Sequence, residues 1–448
     1  MYRHLPPRMC NLDIIIRTGD PGDVKALEMA AAHRCATLII FNPDLGRSST
    51  DAESVVIDMP AIHALLAFGL LASNRKPNII CELSLRSRER LLQHVCSERL
   101  EVIVMNEVLC RLMVQCSRTP KLAEIYEDML SPVGDGVDFY FKNFPELSGL
   151  PFKDIQERLY DAVAVGYEAD GKVAMNPPKD YVFTKTDKLL VLSNSPNGFH
   201  IGPSRHVPAH DLQGKIRKVS VPAECMVLIG YSFRTNFLLS EYDEYMAEGS
   251  VIYLLSGVPT DSMSLPELSN ITIKILEGHP TDDHSINQIP HLEVPPSCIV
   301  VVSSEDAESH KDADAATTIT VLLLSLAYEN HANRPRVICE IASSKDLLDE
   351  RVGCEFVLST EITSRLIAQV AEDRSVAAVY ADCFDPDGSE IYLKSPVFYC
   401  DLNKPIPWLS VQASAADRDD VLIGYICGNE MVMNPRQDAI ITFTMVIS

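Results

Sequence analysis

The chain has 448 residues, a formal charge of −23, 46% hydrophobic and 7% aromatic residues, a composition with room for two or more ordinary globular domains. So acidic a polypeptide binds nucleic acid or an anionic lipid surface only through a local basic patch, and no Lys/Arg cluster is present, which excludes nucleic acid as a partner. Its 13 cysteines stand singly with no Cys-x-x-Cys pair, the usage of reduced intracellular thiols rather than a disulfide framework or a zinc site.

From the N-terminus, "MYRHLPPRMC" has no apolar signal-peptide core behind it, so a soluble, intracellular chain is expected. Short Ile/Val-rich runs then alternate with helical stretches. "LDIII" (12–16), "ATLIIF", "NIIC" and "EVIVM" predict four strands. The uncharged segment 61–73, and 316–328 further on, fall short of the roughly 18–20 apolar residues that span a bilayer. Both are read as helices buried in a core. Residues 136–195 change style, alternating short strands with one helix. Pro, Gly and Ser then mark a connection over 196–215. Beyond it "CMVLIG", "VIYLL", "ITIKIL", "CIVVV", "RVICEI" and "EFVL" predict a second set of strands.

Much of this is the same sentence written twice. "GYEADGKVAMNPPKD" from Gly166 and "GYICGNEMVMNPRQD" from Gly424 share six of fifteen positions at an offset of 258. "PNIICEL" and "PRVICEI" keep that offset, and "NLDIIIRTGDP" matches "NITIKILEGHP" at 259. Ordered blocks at near-constant offset indicate a tandem duplication. Continuous apolar strands between helices imply parallel sheets covered on both faces. The expected fold is therefore α/β: tandem Rossmann-like domains (1–135 and 216–385), each followed by a small α+β subdomain (136–195 and 386–448). The first copy is N-terminally incomplete, because residues 225–269 have no counterpart in it; a truncated chain or a piece supplied by another polypeptide explains that. In the repeated phrase, Gly166 and Gly424 are expected to permit unusual backbone angles, and Asn-Pro to mark a turn.

Ligands in such sheets bind at the carboxyl ends of strands. The candidates there are Asp20 in "TGDP", as cation contact or helix cap, and Gly230, Tyr231 and Arg234 after "VLI". A dinucleotide turn needs more glycines, and the next strand ends in Ser256-Gly257-Val258 without a ribose-binding acid, so NAD is not expected. Glu305, Asp306 and Asp314 cluster in "SSEDAESHKDAD", a candidate Ca²⁺ or K⁺ site weighed against a solvated acidic loop. No catalytic motif is present, and no catalytic residue is assigned.

The phrases "VLIGYSFRTNF", "ADAATTITVLLL", "EFVLSTEITSRLIAQVAEDR" and "MNP" resemble the cytosolic tandem RCK (regulator of potassium conductance) region of Castor/Pollux-type ion channels. Where that family carries Trp-Arg-Arg after the glycine, this chain has Tyr231, Ser232 and Phe233, with Arg234 displaced; "EIASSKD" replaces its Asp-Pro-Arg phrase. The resemblance implies a gating-ring subunit of a tetrameric cation channel, membrane-associated through a pore. The alternatives are a peripheral regulatory subunit of a Trk-type potassium transporter, which meets a separate membrane subunit, and a dehydrogenase-like nucleotide-binding enzyme.

Overall fold

The computed structural model describes residues 14–42, 58–71, 76–84, 86–95, 100–131, 136–205, 222–232, 234–303, 310–342, 353–400, 405–428, 430–441 and 445–447. They form two compact units, divided between Val104 and Met105.

In the first unit, Asp23 caps α1 (Val24–Met29) by accepting the Lys25 N–H at 3.1 Å. β1 (Thr37–Ile40), α2 (Met59–Gly69), β2 (Asn78–Leu83), α3 (Glu89–Val95) and β3 (Leu100–Val104) follow. The strands are parallel in the order β1-β2-β3, and Leu65, Phe68, Cys81, Leu83 and Leu92 fill the core beside them. The strand expected at 12–16 does not form over its described part. Residues 14–16 have no regular structure, and Ile15 is 73% exposed. The reason is pairing. The equivalent strand of the second repeat, Ile271–Glu277, draws its hydrogen bonds from Ser250–Ser256, and among the described residues no such strand lies beside 14–16.

The second unit opens with α4 (Met105–Arg118) and α5 (Leu122–Met129). A small subdomain comes next: β4 (Asp138–Lys142), α6 (Phe152–Arg158), β5 (Leu159–Tyr160), β6 (Val163–Ala169), β7 (Lys172–Met175), β8 (Lys188–Ser193) and β9 (His200–Ile201). Its antiparallel sheet runs β4-β8-β6-β7. Then come β10 (Cys225–Ile229), α7 (Thr235–Tyr245), β11 (Ser250–Ser256), β12 (Ile271–Glu277), α8 (Asp283–Asn287), β13 (Cys298–Val301), α9 (His310–Ala327), β14 (Arg336–Ile341) and β15 (Cys354–Leu358). These six strands are parallel in the order β12-β11-β10-β13-β14-β15, the doubly wound order with its switch point between β10 and β13. After α10 (Ser359–Glu372) and α11 (Ser375–Phe384), the second small subdomain holds β16 (Leu393–Lys394), β17 (Ile406–Pro407), α12 (Trp408–Ala416), β18 (Gly424–Cys427), β19 (Glu430–Met433), β20 (Ile440–Ile441) and β21 (Met445–Ile447).

Strand register carries the duplication into three dimensions. Thr37 faces Asn78 as Cys298 faces Arg336, and Ile79 faces Leu100 as Val337 faces Cys354. The helix read as buried at 316–328 belongs to α9, whose one face packs Val321 and Leu324 into the core. Its other face leaves Ile319, Leu322 and Leu326 exposed, because a helix lying on a sheet buries one stripe only.

The repeated phrase is a hairpin, β6–β7 in one copy and β18–β19 in the other. Gly166 and Gly424 do not take left-handed angles; they admit a close approach. A Cβ on Gly166 would sit 2.2 Å from the Ala174 carbonyl oxygen, and one on Gly424 2.5 Å from that of Val432. Left-handed angles occur at Asp170, Gly171 and Gly428 in the hairpin turns, and at the asparagines, Asn176 at φ 39° and Asn434 at φ 43°. Each asparagine side chain then reaches across to the other copy. Asn176 Nδ2 donates to the Asp419 carbonyl (2.5 Å) and Asn434 Nδ2 to the Asp161 carbonyl (3.1 Å). Donors and acceptors are both related by the 258-residue offset, so the small subdomains meet about a pseudo-two-fold axis.

Candidate functional site

The crevice at the carboxyl ends of β10, β11 and β13 is where a doubly wound sheet presents a ligand site. It is a cavity of about 230 Å³ lined among others by Gly230, Tyr231, Ser256, His279, Thr281 and Thr317. Gly230 has φ +105°, and a Cβ there would lie 2.9 Å from the Val302 carbonyl oxygen, so the turn requires glycine. Two of the other lining side chains are held in local hydrogen bonds. The Tyr231 hydroxyl accepts the Ser264 N–H at 3.1 Å, and His279 Nδ1 lies 2.9 Å from Thr281 Oγ1. At the start of α7, the Ser232 N–H donates to Thr235 Oγ1 (2.8 Å) and the Arg234 N–H to Ser232 Oγ (3.2 Å). Backbone donors that would cradle a phosphate are thus satisfied by hydroxyls. Among the described residues no carboxylate lines the crevice where a ribose would need one. These residues do not fit a dinucleotide.

The remaining predicted residues lie apart from one another. Arg234 turns away from the crevice lining into a buried bidentate pair with Glu340, both N–O distances being 3.0 Å. The Ser303 N–H also donates to Glu340 Oε2 at 3.2 Å. Asp20 Oδ1 accepts the Gly22 N–H at 2.8 Å and so closes a turn; the helix cap is Asp23. Asp314 is buried on α9, and its Oδ1 accepts the Ala342 N–H at 2.7 Å. Glu305 and Asp306 lie outside the described residues. Among the described residues no three His, Cys, Asp or Glu side chains converge to hold a metal ion. A structural Asp314 has a measurable consequence. Asp314→Ala strands the Ala342 N–H and lowers stability by about 1–3 kcal/mol, and the loss is the same in urea titrations with and without millimolar Ca²⁺.

What the sequence did not announce is a polar seam inside the second unit. Helices α4 and α5, which the duplication assigns to the first copy, pack on β14, β15, α7 and α11 of the second. Arg111 bridges Glu241 and Asp385, each at 3.3 Å. Burial pushes the Glu241 carboxyl up, and the adjacent guanidinium opposes that. Arg336 donates to the Cys116 and Ser117 carbonyls at 3.0 and 3.1 Å, where α4 ends, and pairs with Glu355 at 2.8 Å. Gln115 Nε2 reaches the Cys383 carbonyl at 3.0 Å, and Tyr126 donates to Gln115 Oε1 at 3.0 Å. The carboxylates of Glu241 and Asp243 are both structural. Asp243 accepts the N–H groups of Ser269, Asn270 and Ile271 and holds the start of β12.

Residues 106–206 match the family described as Castor and Pollux, part of voltage-gated ion channel. Over 95% of its length the chain is 26% identical to the probable ion channel POLLUX of Oryza sativa subsp. japonica, covering 47% of that protein. It is 24% identical over 94% of its length to the ion channel CASTOR of Lotus japonicus, covering 53% of it. The chain is similar in sequence to the Castor and Pollux ion channels. It spans about half the length of the curated relatives it matches. In fold the chain resembles the human SLO3 gating ring, which superposes with a TM-score of 0.67 at 11% identity, over 96% of this chain and 90% of that one. Among the described residues no helix is long and apolar enough to cross a membrane.

Proposed function

We propose that this chain is the ligand-sensing, gating-ring region of a Castor/Pollux-like cation channel. The observation that carries the reading is a likeness along 94–95% of this chain to about half the length of proteins named ion channels, joined to a fold like that of a gating ring. Four chains assemble into a ring that acts on a membrane pore, without covalent chemistry. A small ligand, with Ca²⁺ and K⁺ as the first candidates, shifts the ring only by its differential affinity for two arrangements. The seam around α4 and α5 supports a mechanical role, since helices of one repeat held by the other move with it.

Assembly is further supported by α9, where Ile319, Leu322 and Leu326 form an exposed apolar stripe at helical spacing. A second copy of the same stripe is the partner that buries it. Light scattering on the purified chain tests this. The expected mass is that of four chains, and Leu326→Glu, which sets a charge in the stripe, yields monomer with an unchanged unfolding midpoint. A wild-type chain that stays monomeric at high concentration removes the ring.

A further inference from the structure

The two repeats hold the same buried carboxylate pair in different states of completion. Glu82 and Glu340, 258 residues apart, stand near the ends of β2 and β14. Each accepts a backbone N–H from the second residue after the neighbouring strand, Asn42 at 3.0 Å and Ser303 at 3.2 Å. Beside them Asp58 Oδ1 accepts the Ser84 N–H at 2.8 Å, as Asp314 Oδ1 accepts that of Ala342 at 2.7 Å. In the second repeat the guanidinium of Arg234 neutralises Glu340. In the first, Glu82 is 5% exposed and has no ion pair among the described residues, and Asp58, fully buried, keeps Oδ2 without a hydrogen-bond partner. A buried carboxylate with no cation is an unfinished arrangement.

Among the described residues the sheet also lacks a strand at the same place. The outer edge of β13 is covered by β10, from Met226 opposite Cys298 to Ile229 opposite Val301. The matching edge of β1 has no partner strand among the described residues. Apolar side chains there are correspondingly bare. Ile39 is 37% and Phe41 59% exposed, whereas their counterparts Val300 and Val302 are 0% and 9%.

We infer that the open edge of β1 is the seat of a partner segment, an apolar strand followed by a helix with an arginine at its N-cap that neutralises Glu82. Residues 225–246 show the chemistry required: a five-residue apolar strand, a glycine turn, and Arg234 five positions beyond Ile229. Strand pairing satisfies the backbone groups of β1. The guanidinium fork fits a carboxylate as Arg234 fits Glu340. A lone cation could meet the charge of Glu82 but leaves Ile39, Phe41 and the strand edge uncovered.

The test uses the full chain and a labelled synthetic peptide of residues 222–246, followed by fluorescence anisotropy. Saturable binding is expected. It weakens tenfold or more when the peptide carries Arg234→Met, and likewise when the chain carries Glu82→Gln. Without peptide, Glu82→Gln raises the unfolding midpoint of the chain, because it removes a buried charge that has no partner; that separates a docking defect from misfolding. Absence of saturable binding overturns the inference, as does binding indifferent to both substitutions. A midpoint raised by Ca²⁺ alone in the wild type, and not in Glu82→Gln, assigns the carboxylates to a metal ion and overturns it too.

Discussion

Arg234→Met lowers the stability of the second unit by about 3–5 kcal/mol, the cost of leaving a buried carboxylate without its cation. Glu340 lies 3% exposed, and among the described residues Arg234 is its only cationic contact, so no solvent or neighbouring lysine replaces the lost fork. Glu340→Gln alone is damaging in the same way, because it leaves the guanidinium buried. The double substitution Arg234→Met/Glu340→Gln recovers most of the loss, and the recovery measures the coupling between the two groups. Urea denaturation of the four proteins decides the matter. A single-substitution loss under about 1 kcal/mol, the range of exposed pairs, rules out a buried, neutralising role. The contrast with the first repeat is one of sign: the same glutamine substitution destabilises at Glu340 and stabilises at Glu82.

The second large effect is expected at the joint between repeats. Phe384 ends α11, is 2% exposed, and lies 5.1 Å from the ring of Tyr126 on α5 and 6.0 Å from that of Tyr380. Phe384→Ala opens a cavity among these rings at a cost of about 3–5 kcal/mol. The loss falls on the contact that ties a helix of the first copy to the second, so the substitution also reduces cooperativity. The chain provides its own probe. Its single tryptophan, Trp408, is buried in the last subdomain, away from that cluster. In wild type, Trp408 fluorescence and far-ultraviolet circular dichroism follow one transition; in Phe384→Ala the two curves separate. Coincident curves in the variant would falsify the coupling assigned to the α5–α11 contact.

Both effects rest on features that sequence reasoning reached unevenly. The parallel sheet was legible because buried parallel strands are written as unbroken Ile/Val runs, and "CMVLIG", "VIYLL", "CIVVV" and "RVICEI" all became strands of one sheet. The duplication was legible because offsets survive when side chains drift. A signal for the buried carboxylates was present and not used. "PNIICEL" and "PRVICEI" both place a glutamate inside an apolar strand, where a charge has no place unless something meets it. "LDIII" misled for the opposite reason: its composition is that of a strand, but a strand exists only when a neighbour takes its hydrogen bonds.

The sequence by itself determined the α/β class, the tandem repeat, the strand segments, the single-glycine turn at Gly230 and the family resemblance, since each is local pattern or internal comparison. Tertiary structure alone decided which groups meet. It turned Arg234 to Glu340, put Asp314 under the Ala342 N–H, set α4 and α5 of one copy onto the sheet of the other, and made Asn176 and Asn434 reciprocal donors across a pseudo-two-fold axis. Partners such as Arg234 and Glu340, or Asn176 and Asp419, stand 106 and 243 residues apart. Their pairing is set by burial and by the need to satisfy every buried charge and donor at once, a condition on the whole fold that no window of sequence contains.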